Sequence, residues 1–271
     1  MTIAVERNGH VWTVVMNRPE ARNAMDPESA DALTRAMIEF DADSDARVAV
    51  LYGEGGAFCA GWDLKYVSTL DGSYPLGELD IPTARARGNG GEIPRGPLGP
   101  TRLELDKPVI AAVSGPAVAG GMELALWCDF RVMQEDAYFG VYCRRWGVPL
   151  IDGGTVRLPR IVGQGRALEI ILTGRKVPAE ECLRIGLCEY LVPNGEVRAR
   201  AEGLAQEISG FPPVCVRADR RSAIKSAGLP VRDAMIQEWY NGREALVKDG
   251  VGGAARFKGG LGRHGDFRKI Y

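Results

Sequence analysis

The stretch Val113-Ser-Gly-Pro-Ala-Val-Ala-Gly-Gly-Met-Glu-Leu-Ala-Leu-Trp-Cys128 decides how this chain is read. The apolar run Val109 to Val113 leads into it as a buried strand. Small residues then form a turn, and an apolar helix follows directly. Glycine and alanine at such a turn let a ligand approach bare backbone N–H groups, and the first N–H groups of a helix carry a positive field. Glu123 stands three residues after Gly120, on the same face of the first helical turn. A donor for a developing negative charge is thus expected beside a carboxylate that can move a proton, as enolate chemistry requires.

Upstream, Val48-Ala-Val-Leu-Tyr is a second buried strand, and it runs into Gly53-Glu-Gly-Gly-Ala-Phe-Cys-Ala-Gly-Trp-Asp-Leu-Lys65. Two glycine-rich turns, each after its own strand, can aim two N–H groups at one oxygen. Ile3 to Arg7 and Val11 to Met16 flank Asn8-Gly9, a hairpin signal. Asp26-Pro27 opens an amphipathic helix with Ala30, Leu33, Met37 and Phe40 on its apolar side. Phe130 to Met133 and Ala137 to Gly140 continue the alternation, which predicts an α/β core with crossover connections. Residues from about 68 to 101 break it. They are rich in Gly and Pro, and a segment of that length is either a lid-like wall of the site or a surface insertion. Gly165 to Thr173 and Pro178 to Ile185 read as helices and Leu187 to Pro193 as a short strand. From Val197 onward the chain reads as helical, broken at Pro212-Pro213. This divides it into a core, residues 1–196, and a C-terminal helical region, residues 197–271.

The 271 residues suffice for one large domain, and 45% hydrophobic with 25% charged residues is ordinary for a globular protein. A net charge of −1 gives no electrostatic case for nucleic acid. No run has the length of a membrane span and the N-terminus has no apolar signal core, so a cytoplasmic protein is expected. The six cysteines form no C-x-x-C pair, consistent with a reducing compartment. His10 and His264 are the only histidines, which argues against a histidine-assisted nucleophile and against a metal site.

Four segments, in order, carry a resemblance: Asn17-Arg-Pro-Glu-Ala-Arg-Asn-Ala-Met25, Ala57-Phe-Cys-Ala-Gly-Trp-Asp-Leu-Lys65, Lys107 to Ala125, and Gly153-Gly-Thr-Val-Arg-Leu-Pro-Arg-Ile-Val-Gly163. On these the chain resembles the crotonase superfamily, the enoyl-CoA hydratase/isomerase family. The resemblance implies a spiral of ββα units with a C-terminal helical trimerisation region, an acyl-CoA thioester as ligand, and a homotrimer or dimer of trimers. No cofactor is implied, since CoA is part of the substrate. It places the oxyanion-hole donors at the backbone N–H groups of Trp62 and Gly120. It puts Ala21, Arg22, Ala60, Asp63, Lys65 and Phe257 along the substrate and its CoA, Phe257 from a neighbouring subunit.

Glu123 matches the first of the two glutamates of a typical hydratase; read without the family it is a first-turn carboxylate that favours the helix dipole. The second glutamate is missing. Cys143 stands in its place, and a thiol of reference pKa about 8.5 is a poor substitute for a carboxyl near 4.3. Asp152, before Gly153-Gly154, is either a second proton carrier or an N-cap for the following segment. An enoyl-CoA hydratase or isomerase is therefore expected, with decarboxylation through Asp152 or a non-catalytic acyl-CoA binder as alternatives.

Overall fold

The computed structural model describes residues 1–70 and 96–262. Strands β1 (Ile3–Asn8) and β2 (Val11–Met16) form the expected hairpin, paired antiparallel across the Asn8-Gly9 turn, with Gly9 at φ +57°. Helix α1 (Pro27–Ala42) follows, capped by the Asp26 side chain, which accepts from the Ser29 N–H at 2.9 Å. Next come β3 (Val48–Gly53), the short α2 (Leu64–Val67), β4 (Val109–Val113), β5 (Pro116–Val118) and α3 (Gly120–Trp127). Strands β6 (Phe130–Gln134) and β7 (Tyr138–Gly140) lead to α4 (Gly154–Val162) and α5 (Gln164–Thr173). Then β8 (Lys176–Pro178), α6 (Ala179–Arg184) and β9 (Tyr190–Val192) precede four helices: α7 (Val197–Ser209), α8 (Pro213–Ser226), α9 (Val231–Ala245) and α10 (Val251–Lys258).

Among the described residues the strands form two sheets, one ordered β1-β2-β3-β4-β6-β9 and one ordered β5-β7-β8. From β2 to β9 every pairing in the larger sheet is parallel, which is why β4 is buried along its whole length and reads as a continuous apolar run. A parallel bridge between Cys59 and Ala117 extends the smaller sheet by one residue beside β5, and another parallel bridge joins Met25 to Trp62. The architecture is thus a spiral. Each turn gives one strand to the large sheet, crosses to the small sheet, and closes with a helix. Trp62 and Gly120 occupy equivalent places in successive turns, where the chain leaves the small sheet for its helix.

Helix α7 seals the outer face of the large sheet: Val197, Ala201, Leu204 and Ala205 pack with Val11, Val48, Val50, Ile110 and Val132. The other face packs against α1, α3 and the small sheet around Met16, Leu33, Phe40, Phe58, Met122 and Phe139.

Two sequence expectations need correction. The turn after Val113 does not lead straight into a helix; β5 intervenes and pairs with β7. The strand expected over Leu187 to Pro193 shrinks to Tyr190–Val192, because Leu187 and Cys188 turn back to the Cys182 carbonyl. Of the lid-like insertion, residues 71–95 lie outside the described residues, as does His264.

Candidate active site

Helix α3 begins at a backbone that only close packing holds in place. Ala119, its N-cap, has φ +54° and ψ −124°, a region unfavourable for any residue with a Cβ. The Ala119 N–H is tied to the Gly140 carbonyl at 2.7 Å, whereas the following N–H, of Gly120, has no hydrogen-bond partner among the described residues. The Trp62 N–H is likewise unpartnered there, although Met25 bonds to the residues on both sides of it. Gly61, at φ +93°, brings the two together: a Cβ at Gly61 would stand 2.9 Å from the Gly120 nitrogen. Gly121 has no room either, since its Cβ would collide with the Cys59 carbonyl. The glycines at 61 and 121 are therefore required by the approach of one turn to the other.

Asn23 pins the upstream loop to this junction. Its side-chain oxygen accepts from the Arg18 N–H, and its amide donates to the carbonyls of Glu54 (2.9 Å) and Ala57 (2.7 Å).

These segments border a cavity of about 320 Å³. Arg22, Ala60, Trp62, Gly120, Glu123, Cys143 and Asp152 line it. Apolar and aromatic side chains complete the wall: Leu64, Leu98, Val118, Tyr142, Trp146, Val148 and Ile151. Glu123 is 2% exposed. Its Oε1 accepts from the N–H groups of Asp152 (2.9 Å) and Gly154 (2.7 Å). Burial raises its pKa to about 7; the Gly154 N–H acts against that and the Asp152 charge adds to it.

Asp152 is also 2% exposed. The N-cap reading does not hold: Gly153 occupies the cap of α4. The carboxylate turns instead to the end of the insertion, where Oδ1 accepts from the Thr101 hydroxyl (2.5 Å) and the Leu98 N–H (3.3 Å). Oδ2 is buried without a partner among the described residues. Burial pushes the Asp152 pKa up, opposed by the Thr101 and Leu98 bonds. Cys143 is a buried thiol, held protonated first by desolvation and then by the nearby Glu123 charge.

The other expected binding residues lie outside this cavity. Ala21 ends a short 3-10 turn, Pro19–Ala21. The Asp63 carboxylate caps α2 at the Lys65 N–H (2.9 Å) and pairs with Arg18 (3.2 Å). Lys65 is exposed on α2, and Phe257 is exposed on α10. Thr101 and Arg157 went unnoticed in the sequence. Arg157 was visible only as part of Gly153-Gly-Thr-Val-Arg, and Leu98 and Thr101 only as the end of a Gly/Pro-rich segment. Among the described residues no group of three His, Cys, Asp or Glu side chains could hold a metal ion, and no helix is long and apolar enough to cross a membrane.

Residues 6–74 and 101–236 match the family model for enoyl-CoA hydratase/isomerase. The chain belongs to this family of acyl-CoA-processing enzymes. It is 36% identical over 252 residues to the enoyl-CoA hydratase EchA19 of Mycobacterium tuberculosis, covering 90% of this chain and 88% of that one. It is 35% identical over 237 residues to the (E)-benzylidenesuccinyl-CoA hydratase of Thauera aromatica, covering 87% of each. The crystal structure of enoyl-CoA hydratase EchA1 from Mycobacterium marinum superposes with a TM-score of 0.84 at 32% identity, over 96% of both chains.

Proposed function

We propose that this protein adds water across the double bond of an enoyl-CoA thioester through an enolate held between the Trp62 and Gly120 N–H groups. The observation that carries this reading is the meeting of two unpartnered N–H groups in one cavity with a buried carboxyl whose pKa lies near 7. Glu123 takes a proton from water as the water oxygen bonds to C3. The C2–C3 π electrons move toward C1, and the thioester oxygen becomes the enolate oxygen. Fixed donors need no reorganisation to receive that charge, and one such donor contributes roughly 3–4 kcal/mol. Glu123, now protonated, then gives its proton to C2 as the enolate electrons return to restore the thioester carbonyl, which completes the addition and regenerates the base. A carboxyl with a pKa near 7 is populated in both protonation states at neutral pH, which suits it to either transfer. Arg22, Ala60, Ala21, Asp63 and Lys65 are assigned to the CoA side, where the rim of the cavity leads outward.

The unpartnered Oδ2 of Asp152, with a thiol at Cys143, favours a second reading. Asp152 is the second acid, and with Glu123 it carries a proton from one carbon of the acyl chain to another, giving isomerisation. Both readings share the enolate and differ in whether water is consumed. Incubation with saturated, enoyl, dienoyl and malonyl-type CoA thioesters in heavy water, followed by mass analysis, separates them. Hydration adds the mass of water, isomerisation only exchanges deuterium, and decarboxylation loses carbon dioxide. No change in any thioester would sink both readings and leave an acyl-CoA binder.

We further assign the protein to a cytoplasmic homotrimer or dimer of trimers. The support is a run of exposed apolar residues on α9 and α10, among them Met235, Trp239, Tyr240, Val251 and Phe257, together with six unpaired cysteines.

A further inference from the structure

Arg157 lies on the first turn of α4, behind the carboxylates, and is mostly buried. Its guanidinium forms a fork across two segments: Nη1 donates to the Asp152 carbonyl at 2.9 Å and Nη2 to the Thr101 carbonyl at 2.7 Å. Gly153, at φ +96°, leaves room for it, since a Cβ there would collide with Nη1. Thr101 in turn donates its hydroxyl to Asp152, and the N–H groups of Asp152 and Gly154 hold Glu123. Among the described residues both of these bonds end on backbone carbonyls and Arg157 forms no ion pair with either carboxylate, so its charge stands beside two acids without being paired to them.

We propose that Arg157 is the positioning residue of this site: it clamps the Asp152–Gly154 turn to the returning end of the insertion and keeps its positive charge beside both carboxylates. The inference rests on the reading of Glu123 and Asp152 as proton carriers and adds what holds and tunes them. The groups facing Glu123 are Asp152, Arg157 and the Cys143 thiol. Those facing Asp152 include Arg102, Arg157, Glu123 and the Cys59 thiol, while Arg160 and the Cys128 thiol face Arg157 from its own side. Arg157 opposes the rise in pKa that burial imposes on both acids. Removing its charge therefore moves both upward, making the ionised base scarcer at neutral pH. Removing the fork leaves residues 97–101 held to the turn only through the Asp152 carboxylate, which accepts from Thr101 and Leu98, so the cavity wall that Leu98 forms is held less firmly.

The test needs no substrate. The carboxyl carbons of Glu123 and Asp152 are titrated by carbon-13 NMR in the full-length protein, assigned with Glu123→Gln and Asp152→Asn, and hydrogen exchange is followed at the Leu98 amide. Arg157→Gln is expected to raise the Glu123 midpoint by about one pH unit and to speed Leu98 exchange. Arg157→Lys is expected to keep the midpoint near that of the wild type while exchange stays fast. A lysine keeps the charge, but its ammonium lacks the planar fork that spans two carbonyls. An unmoved midpoint in Arg157→Gln would overturn the electrostatic role, and wild-type exchange in Arg157→Lys would overturn the clamp. If Arg157→Gln does not fold, Arg157→Lys decides alone: a Glu123 midpoint near wild type with fast Leu98 exchange supports the proposal, and a displaced midpoint or unchanged exchange refutes it. A wild-type enzyme that converts no thioester would sink the catalytic reading while these titrations still report on Arg157.

Discussion

Replacing Glu123 by glutamine should change stability and activity in opposite directions. The glutamine oxygen can still accept from the Asp152 and Gly154 N–H groups, so the substitution mimics the protonated acid. The carboxyl has a folded pKa of about 7 against a reference value of 4.5. The folded state therefore binds this proton more tightly than the unfolded chain does. The stability it confers is complete below pH 4.5 and is lost as the pH rises toward 7. At about 1.4 kcal/mol per pH unit, the loss above pH 7 is about 3 kcal/mol. Glutamine cannot ionise and escapes it. Urea unfolding at pH 5 and pH 8 should find the variant close to wild type at the lower pH and more stable by about 3 kcal/mol at the higher, or roughly 6–12 °C in Tm. Turnover should fall by about 10²–10⁴-fold. A variant less stable than wild type at pH 8, or equally active, would refute the account of a buried, strained proton carrier.

Three further outcomes follow from the geometry. Gly61→Ala should lower kcat at least tenfold, because the new Cβ would press on the Gly120 nitrogen and the residue would be strained at φ +93°; a fully active variant, followed by steady-state kinetics, would separate the two turns from catalysis. Asp152→Asn should alter the pH–rate profile more than it alters Tm, since an amide oxygen can still accept from Thr101 and Leu98; an unchanged profile would remove Asp152 from the chemistry. Light scattering should report a trimer or a multiple of three, and a monomer would also exclude a cross-subunit role for Phe257.

The parts of the fold set by long local patterns were readable in the sequence. Strand β4 is five apolar residues because parallel strands are covered on both faces, and α1 announces itself by Asp26-Pro27 and its apolar spacing. Strand β5 was not readable: three residues between a glycine and a strained alanine carry no period, and only pairing with β7 makes them a strand. The two turns and Glu123 could be found because glycines and a first-turn carboxylate leave a local signature. The partners of Asp152 could not. Thr101 and Leu98 are about fifty residues away, at the end of a segment whose composition says only that it is irregular. The N-cap alternative for Asp152 was reasonable on local grounds and fails because Gly153 takes the cap position, leaving the carboxylate free to turn inward.

The central claim is that two backbone N–H groups polarise a thioester carbonyl. The infrared band of a carbonyl-13C-labelled acyl-CoA, recorded as the difference between bound and free ligand, tests it most directly. The account predicts a bound band shifted below the frequency in water, and a shift that shrinks in Gly61→Ala. A bound carbonyl absorbing at or above its aqueous frequency would contradict it.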